Sequence, residues 1–204
     1  MDSLPDSGKR QMARPGLTPQ ISPMTIGALM HEFARFDPQA AAAEYPWADR
    51  FVMGFPLAPW QREFKWSVEQ VERFIASVWS GVHLGTYCLT EYEVSAGPNG
   101  KGVVYDHLSN CVIDGQQRLK ALELYLTDQV AVPDVQGVPC TWSEVDSVDR
   151  RRFERTHFSR GVLRERDETK LRSAYDLMNF SGLPHAEHER ASRPASGGMR
   201  MRPR

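Results

Sequence analysis

Residues 111–126 read CVIDGQQRLKALELYL, and the fold turns on how this stretch divides. Cys111-Val112-Ile113 is a short apolar run that suits a buried strand. Leu119, Leu122, Tyr125 and Leu126 recur at helical spacing, so a helix follows. Between them lies the polar run Asp114-Gly115-Gln116-Gln117-Arg118, where Gly115 lets the backbone turn sharply and a ligand come close. The helix that starts here presents unpaired N–H groups and the positive end of its dipole. That is a ready anion site, and Arg118 adds a fork suited to phosphate. Gln116 and Gln117 supply neutral donors and acceptors for a phosphate, a base or a water, and Asp114 can hold a divalent cation. A plainer alternative fits the same residues: Asp114 caps the helix, with Gln and Arg on its wet face. Local chemistry leaves both open.

Outward from the motif, Ser67–Ser80 reads as a helix. Ser67 and Gln70 form a capping box, and Val71, Phe74, Ile75, Val78 and Trp79 make its apolar stripe. His83–Tyr92 reads as a strand, Gly97-Pro98-Asn99-Gly100 as a turn, and Gly102–Tyr105 as the start of a returning strand. Upstream, Thr25 caps a short helix to Arg35. Arg50–Trp60 is an extended or edge segment, given Pro56 and Pro59. Downstream, Trp142–Glu154 is expected to be helical and Thr156–Leu163 a strand. Asp167–Met178 is a helix ending at Asn179-Phe180-Ser181-Gly182. Strands this few and short exclude a doubly wound sheet, so the class is α+β, a small mixed sheet with packed helices. One domain is expected over residues 25–185, with a disordered leader at 1–24 and a basic disordered tail at 186–204.

With 41% hydrophobic and 25% charged residues, the chain has the balance of an ordinary globular domain. No run of apolar residues is long enough to span a membrane, and the first residues lack a secretory core, so a cytoplasmic location is expected. Cys88, Cys111 and Cys140 are odd in number and carry no CxxC spacing, which argues against a disulfide framework or zinc ribbon. Cys88 and Cys111 sit in apolar runs and read as small core residues. The tail carries Arg190, Arg193, Arg200, Arg202 and Arg204 against Glu187 and Glu189; it suits either a solvated end or a contact to nucleic-acid phosphates.

Two further clusters carry chemistry. Trp60-Gln61-Arg62-Glu63-Phe64-Lys65-Trp66 interleaves aromatics with basic groups. This arrangement fits either base stacking or a packed edge with snorkelling stems. In Asn179–His185, a polar loop, Asn179 offers an amide and His185 an acid–base group, although such residues often only cap or solvate.

In their order, these clusters resemble the GmrSD-type N-terminal domain family of modification-dependent restriction and related phage-defence proteins, placed in the ParB/sulfiredoxin-like superfamily. The resemblance rests on Pro59-Trp60-Gln61-Arg62 with Trp66, Leu84-Gly85, Asp114–Arg118, and Asn179 with Gly182. It implies a ParB/sulfiredoxin-like fold and a nucleotide pocket, with an activity of nucleoside-triphosphate hydrolysis or of ParB-like DNA cleavage. Asp114, Gln116, Gln117 and Arg118 would form the catalytic core, with Gly115, Gln61, Arg62 and Asn179 binding phosphate. Asp114 would hold Mg²⁺ or another divalent cation. The implied partners are a nucleoside triphosphate, DNA, and a protein partner or second copy of the chain. Restriction members continue into an HNH-type nuclease domain that is not legible here, which suggests a stand-alone form of phage or prophage context. Two non-enzymatic roles also fit: a nucleotide or DNA switch without turnover, and an interaction factor using Val52, Phe55, Leu57 and Trp60 as its contact face. Loss of hydrolysis with nearly unchanged thermal unfolding is the behaviour expected of Arg118→Ala.

Overall fold

The strand that leads into the motif, β7 (Val112–Asp114), ends a four-stranded mixed sheet of order β1-β10-β4-β7. This is a computed structural model, which describes residues 16–97, 100 and 102–180. The central strands β4 (Thr86–Thr90) and β10 (Ser159–Leu163) run parallel, from Thr86 opposite Ser159 to Thr90 opposite Leu163. β1 (Gln20–Ser22) and β7 pair antiparallel on either side. Alternation along β7 divides the core: Val112 faces one apolar cluster, Cys111 and Ile113 the other.

On the Val112 face pack α1 (Ile26–Phe33), α3 (Val68–Trp79), α4 (Gln116–Leu126) and α5 (Ser147–Glu154), with Ile75, Val78, Leu119, Leu122, Tyr125 and Phe158 almost wholly buried. The opposite face is covered by α6 (Glu168–Phe180) through Leu171, Ala174 and Tyr175. The short α2 (Pro38–Glu44) and three hairpins complete the α+β fold: β2 (Phe51–Val52) with β3 (Phe55–Pro56), β5 (Val94–Ala96) with β6 (Val103–Tyr105), and β8 (Val132–Pro133) with β9 (Pro139–Cys140). No described helix is long and apolar enough to cross a membrane.

Helix starts follow local chemistry. Thr25 accepts from Ala28 N, the Ser67–Gln70 capping box is complete, and Asp167 accepts from Thr169 N and Lys170 N. Cys88 and Cys111 are buried, as their apolar surroundings suggest.

Several elements differ from the sequence reading. Gln20–Ser22, assigned to the leader, is a strand, held by backbone pairing to β10. Arg50–Trp60 holds a hairpin, because Met53 (φ 49°) and Gly54 (φ 84°) both take left-handed conformations and reverse the chain. Val52, Phe55 and Leu57 are consequently core residues rather than a contact face. Trp142–Glu154 splits into a 3₁₀ turn (Trp142–Glu144) and α5, because Asp146 caps a new helix by accepting from Val148 N at 2.7 Å. Residues 1–15, Pro98 and Asn99 of the Gly97–Gly100 turn, Ser181–His185 and the arginine-rich tail lie outside the described residues.

Candidate functional site

The β7-to-α4 turn is shaped by one glycine. Gly115 sits at φ 96°, a left-handed conformation, and a Cβ there would come within 2.6 Å of Tyr87 Cβ. Only glycine satisfies both the dihedral and the contact. Just before it, β7 holds one residue more than β4 between paired positions: Cys88 faces Asp114 and Leu89 faces Val112. This bulge aims the end of the strand at the turn. Buried Gln61 steadies it, donating from Nε2 to Val112 O at 2.9 Å and Ile113 O at 3.1 Å.

Three motif side chains turn inward. Gln116 Nε2 donates to Arg62 O at 2.9 Å. Gln117 Oε1 accepts from Lys65 N (2.8 Å) and Trp66 N (3.2 Å), while its Nε2 donates to Glu63 O at 3.3 Å. Together the two glutamines hold residues 62–66 against the start of α4. Arg118 donates to Leu84 O (2.8 Å), Thr86 O (3.0 Å) and Asp114 Oδ2 (2.9 Å), with its guanidinium 5.5 Å from the centre of the Phe158 ring. It is therefore a brace between β4, β7 and α4. Removing it leaves partly buried carbonyls and a carboxylate unpaired, so Arg118→Ala will lower thermal stability, unlike the sequence expectation.

What remains available is the helix start itself. Gly115 provides no side-chain cap, and the first intrahelical bond to its carbonyl comes from Leu119 N at 2.9 Å. The amides of Gln116, Gln117 and Arg118 have no acceptor among the described residues. The same three residues line a cleft of about 140 Å³, together with Arg62, Trp66, Asp114, Gly115 and Asn179. Arg62 is exposed, and its guanidinium makes no hydrogen bond or ion pair with a described residue. Asn179 belongs to the last turn of α6 rather than to a loop, and its Nδ2 donates to Tyr175 O at 2.9 Å.

The structure thus gathers Arg62, Asp114, Gly115, Gln116, Gln117, Arg118 and Asn179 at one cleft, with Gln61 behind it as a support. His185 lies outside the described residues. Trp66, already named in the aromatic–basic cluster, lines the cleft, while Thr86 and Phe158, with the Leu84 carbonyl, are additions as the seat of Arg118. Leu84-Gly85 was the available signal: Gly85 has φ 76°, and a Cβ there would meet Arg118 Nη1 at 2.7 Å. Neighbouring Cys88 has its thiol pushed up to about 11, by burial first and the Asp114 charge second, so it is no thiolate nucleophile.

Among the described residues Asp114 is the only carboxylate of the lining, and no group of three His, Cys, Asp or Glu could hold a metal ion. One carboxylate with one oxygen on Arg118 is a sparse donor set. A divalent cation here would have to bring most of its ligands itself, as water or phosphate.

A strand–glycine turn–helix cleft, with helix amides that have no acceptor among the described residues, is the distinguishing feature of this α+β domain. The chain belongs to the family described as GmrSD restriction endonuclease, N-terminal domain, whose model matches residues 51–193. No curated protein and no solved structure matches the chain.

Proposed function

We propose that the Asp114–Arg118 cleft receives a phosphate group of a nucleoside triphosphate, and that the domain hydrolyses that nucleotide in the restriction-related setting of its family. The observation that carries this reading is the open start of α4: three unaccepted amides and the uncommitted Arg62 converge on one small cleft. At about 140 Å³ the cleft has room for a phosphate, whereas enclosed small-molecule sites run to roughly 300–1,000 Å³. The nucleoside therefore lies outside, where the Trp66 ring offers a stacking surface.

The roles divide accordingly. The amides and Arg62 bind phosphate. Gln116 and Gln117 keep Arg62 and Trp66 in place, and Arg118 holds the turn. The Asp114 oxygen not bonded to Arg118 would hold a divalent cation or orient a water. The cation, when bound, neutralises phosphate charge.

The test is a scan of ATP, GTP, CTP and the deoxynucleotides with Mg²⁺, reading thermal shift and phosphate release together. At a hundredfold excess over Kd, a bound nucleotide should stabilise the fold by about 2.7 kcal/mol. Arg62→Ala should remove most of that shift and leave the unliganded melting temperature unchanged. Absence of both shift and release with every nucleotide would overturn the proposal. A second reading, binding without turnover, is favoured by the engagement of Gln116, Gln117 and Arg118 with the protein's own backbone. Shift without release selects it. Retention of DNA at low salt, lost in Arg62→Ala, would identify the phosphate as that of a DNA backbone.

A further inference from the structure

A second and larger cleft, of about 380 Å³, lies between α1, the β2–β3 turn, the β5–β6 hairpin and β10. Its lining combines flat apolar surface with charge. Phe36 and Tyr92 supply rings, Arg35 and Arg160 supply guanidinium groups, and Asn110 and Glu32 supply an amide and a carboxylate. Tyr92 is 65% exposed, whereas Tyr87 and Tyr125 are fully buried, so its ring is not part of the packed interior.

One polar atom of a residue that lines this cleft, Arg160 Nε, is buried and without a hydrogen-bond partner among the described residues. Unpaired buried donors are costly, and each such atom calls for a reason. Arg160 lines the cleft, and its one described ion pair is long, 3.5 Å from Nη1 to Glu32 Oε1. Arg35 is exposed, and its side chain makes no described hydrogen bond or ion pair. Two guanidinium groups against one carboxylate leave the cleft with a positive excess. Asn110 donates to Tyr45 Oη at 3.2 Å, and its amide oxygen is uncommitted among the described contacts.

From these observations we infer that the second cleft is a binding site for a planar heterocycle carrying an anionic group, the chemistry of a 5′-mononucleotide. The ring lies against Phe36 and Tyr92, and the anion meets Arg35 and Arg160. The volume falls within the range of small-molecule sites, unlike that of the motif cleft. This site is independent of the Asp114–Arg118 reading.

The test is calorimetric titration of the full chain carrying Arg62→Ala, which weakens the first cleft. The probes are AMP, GMP, CMP and dTMP, with adenosine, ribose 5-phosphate and inorganic phosphate alongside. At least one mononucleotide should bind, and the probes lacking either ring or phosphate should bind about tenfold or more weakly. Adding Arg35→Gln or Tyr92→Ala, both at exposed positions, should weaken the mononucleotide by about tenfold each, with the melting temperature unchanged. Three results would overturn the inference: no mononucleotide binding to Arg62→Ala, binding indifferent to both added substitutions, or inorganic phosphate binding as tightly as any mononucleotide. Binding present in the unmodified chain and lost in Arg62→Ala assigns the ligand to the first cleft, supporting that proposal while removing this one.

Discussion

The starts of α3 and α4 solve the same problem in opposite ways. At α3, Ser67 and Gln70 bond each other's backbone N–H groups, so the helix terminus is satisfied by its own first turn. At α4, the residue in that position is Gly115, which has nothing to offer. The polar side chains that follow reach away from the terminus, to carbonyls and amides of residues 62–66 and 84–86. A purely structural helix caps itself locally. A helix whose amides face a cleft instead uses its side chains to shape the surroundings and leaves the amides free.

The sharpest way to break this contrast is Gly115→Ala. It combines a left-handed backbone with a Cβ driven into Tyr87, and should cost about 3 kcal/mol or more, read as a lower urea midpoint. A change under a few tenths of a kcal/mol would show that the turn relaxes freely. Next comes Arg118→Ala, which orphans Leu84 O, Thr86 O and Asp114 at once; a loss of about 2–3 kcal/mol is expected in chemical denaturation, with Arg118→Lys recovering only part. If Arg118→Ala melts like the unmodified chain, the brace described for it is mistaken. Ser67→Ala sharpens the contrast from the other side. It should cost about 1 kcal/mol, yet leave nucleotide-induced stabilisation at α4 as it was.

The smallest effect concerns pH. Backbone N–H groups of Asp167 and Arg166, with Lys170, hold the Glu165 carboxyl at about 2, below its ordinary 4.5. A depressed carboxylate stabilises the fold above its unfolded value and loses that contribution as pH falls from 4.5 toward 2. Amide protection at the start of α6, taken relative to the intrinsic exchange rate at each pH, should therefore fall as pH drops across that window. Glu165→Gln should flatten the dependence; an unchanged pH profile in that variant would assign the transition to another group.

What could be read from the sequence was mostly local. The caps at Thr25, Ser67 and Asp167 need only residues within three positions, and all three form. The strand–turn–helix around Gly115 was legible for the same reason, as were Cys88 and Cys111 in the core. The partners of Arg118 were not, because Leu84 and Thr86 contribute backbone carbonyls, which carry no residue identity. Nor was β1: Gln20–Ser22 is mostly polar and only three residues long, and it exists because β10 offers it a ladder. The sheet order was hidden likewise, since parallel pairing of β4 with β10 depends on segments far apart in the chain. At the cleft, sequence chemistry named residues that the fold brings close together, while the direction each side chain takes emerged only from the fold.

The parallel pairing of β4 with β10 also bears on how the protein comes into being. During synthesis the motif and all of α4 leave the ribosome well before β10 does. At that moment the Arg118 guanidinium lacks the Phe158 ring it will lie over, and the cleft lacks Asn179. Non-local strand pairing closes slowly because its loop entropy is lost before its contacts form. A chain truncated just after Leu126 would thus carry the full motif without its finished cleft, because Phe158 and Asn179 both lie downstream.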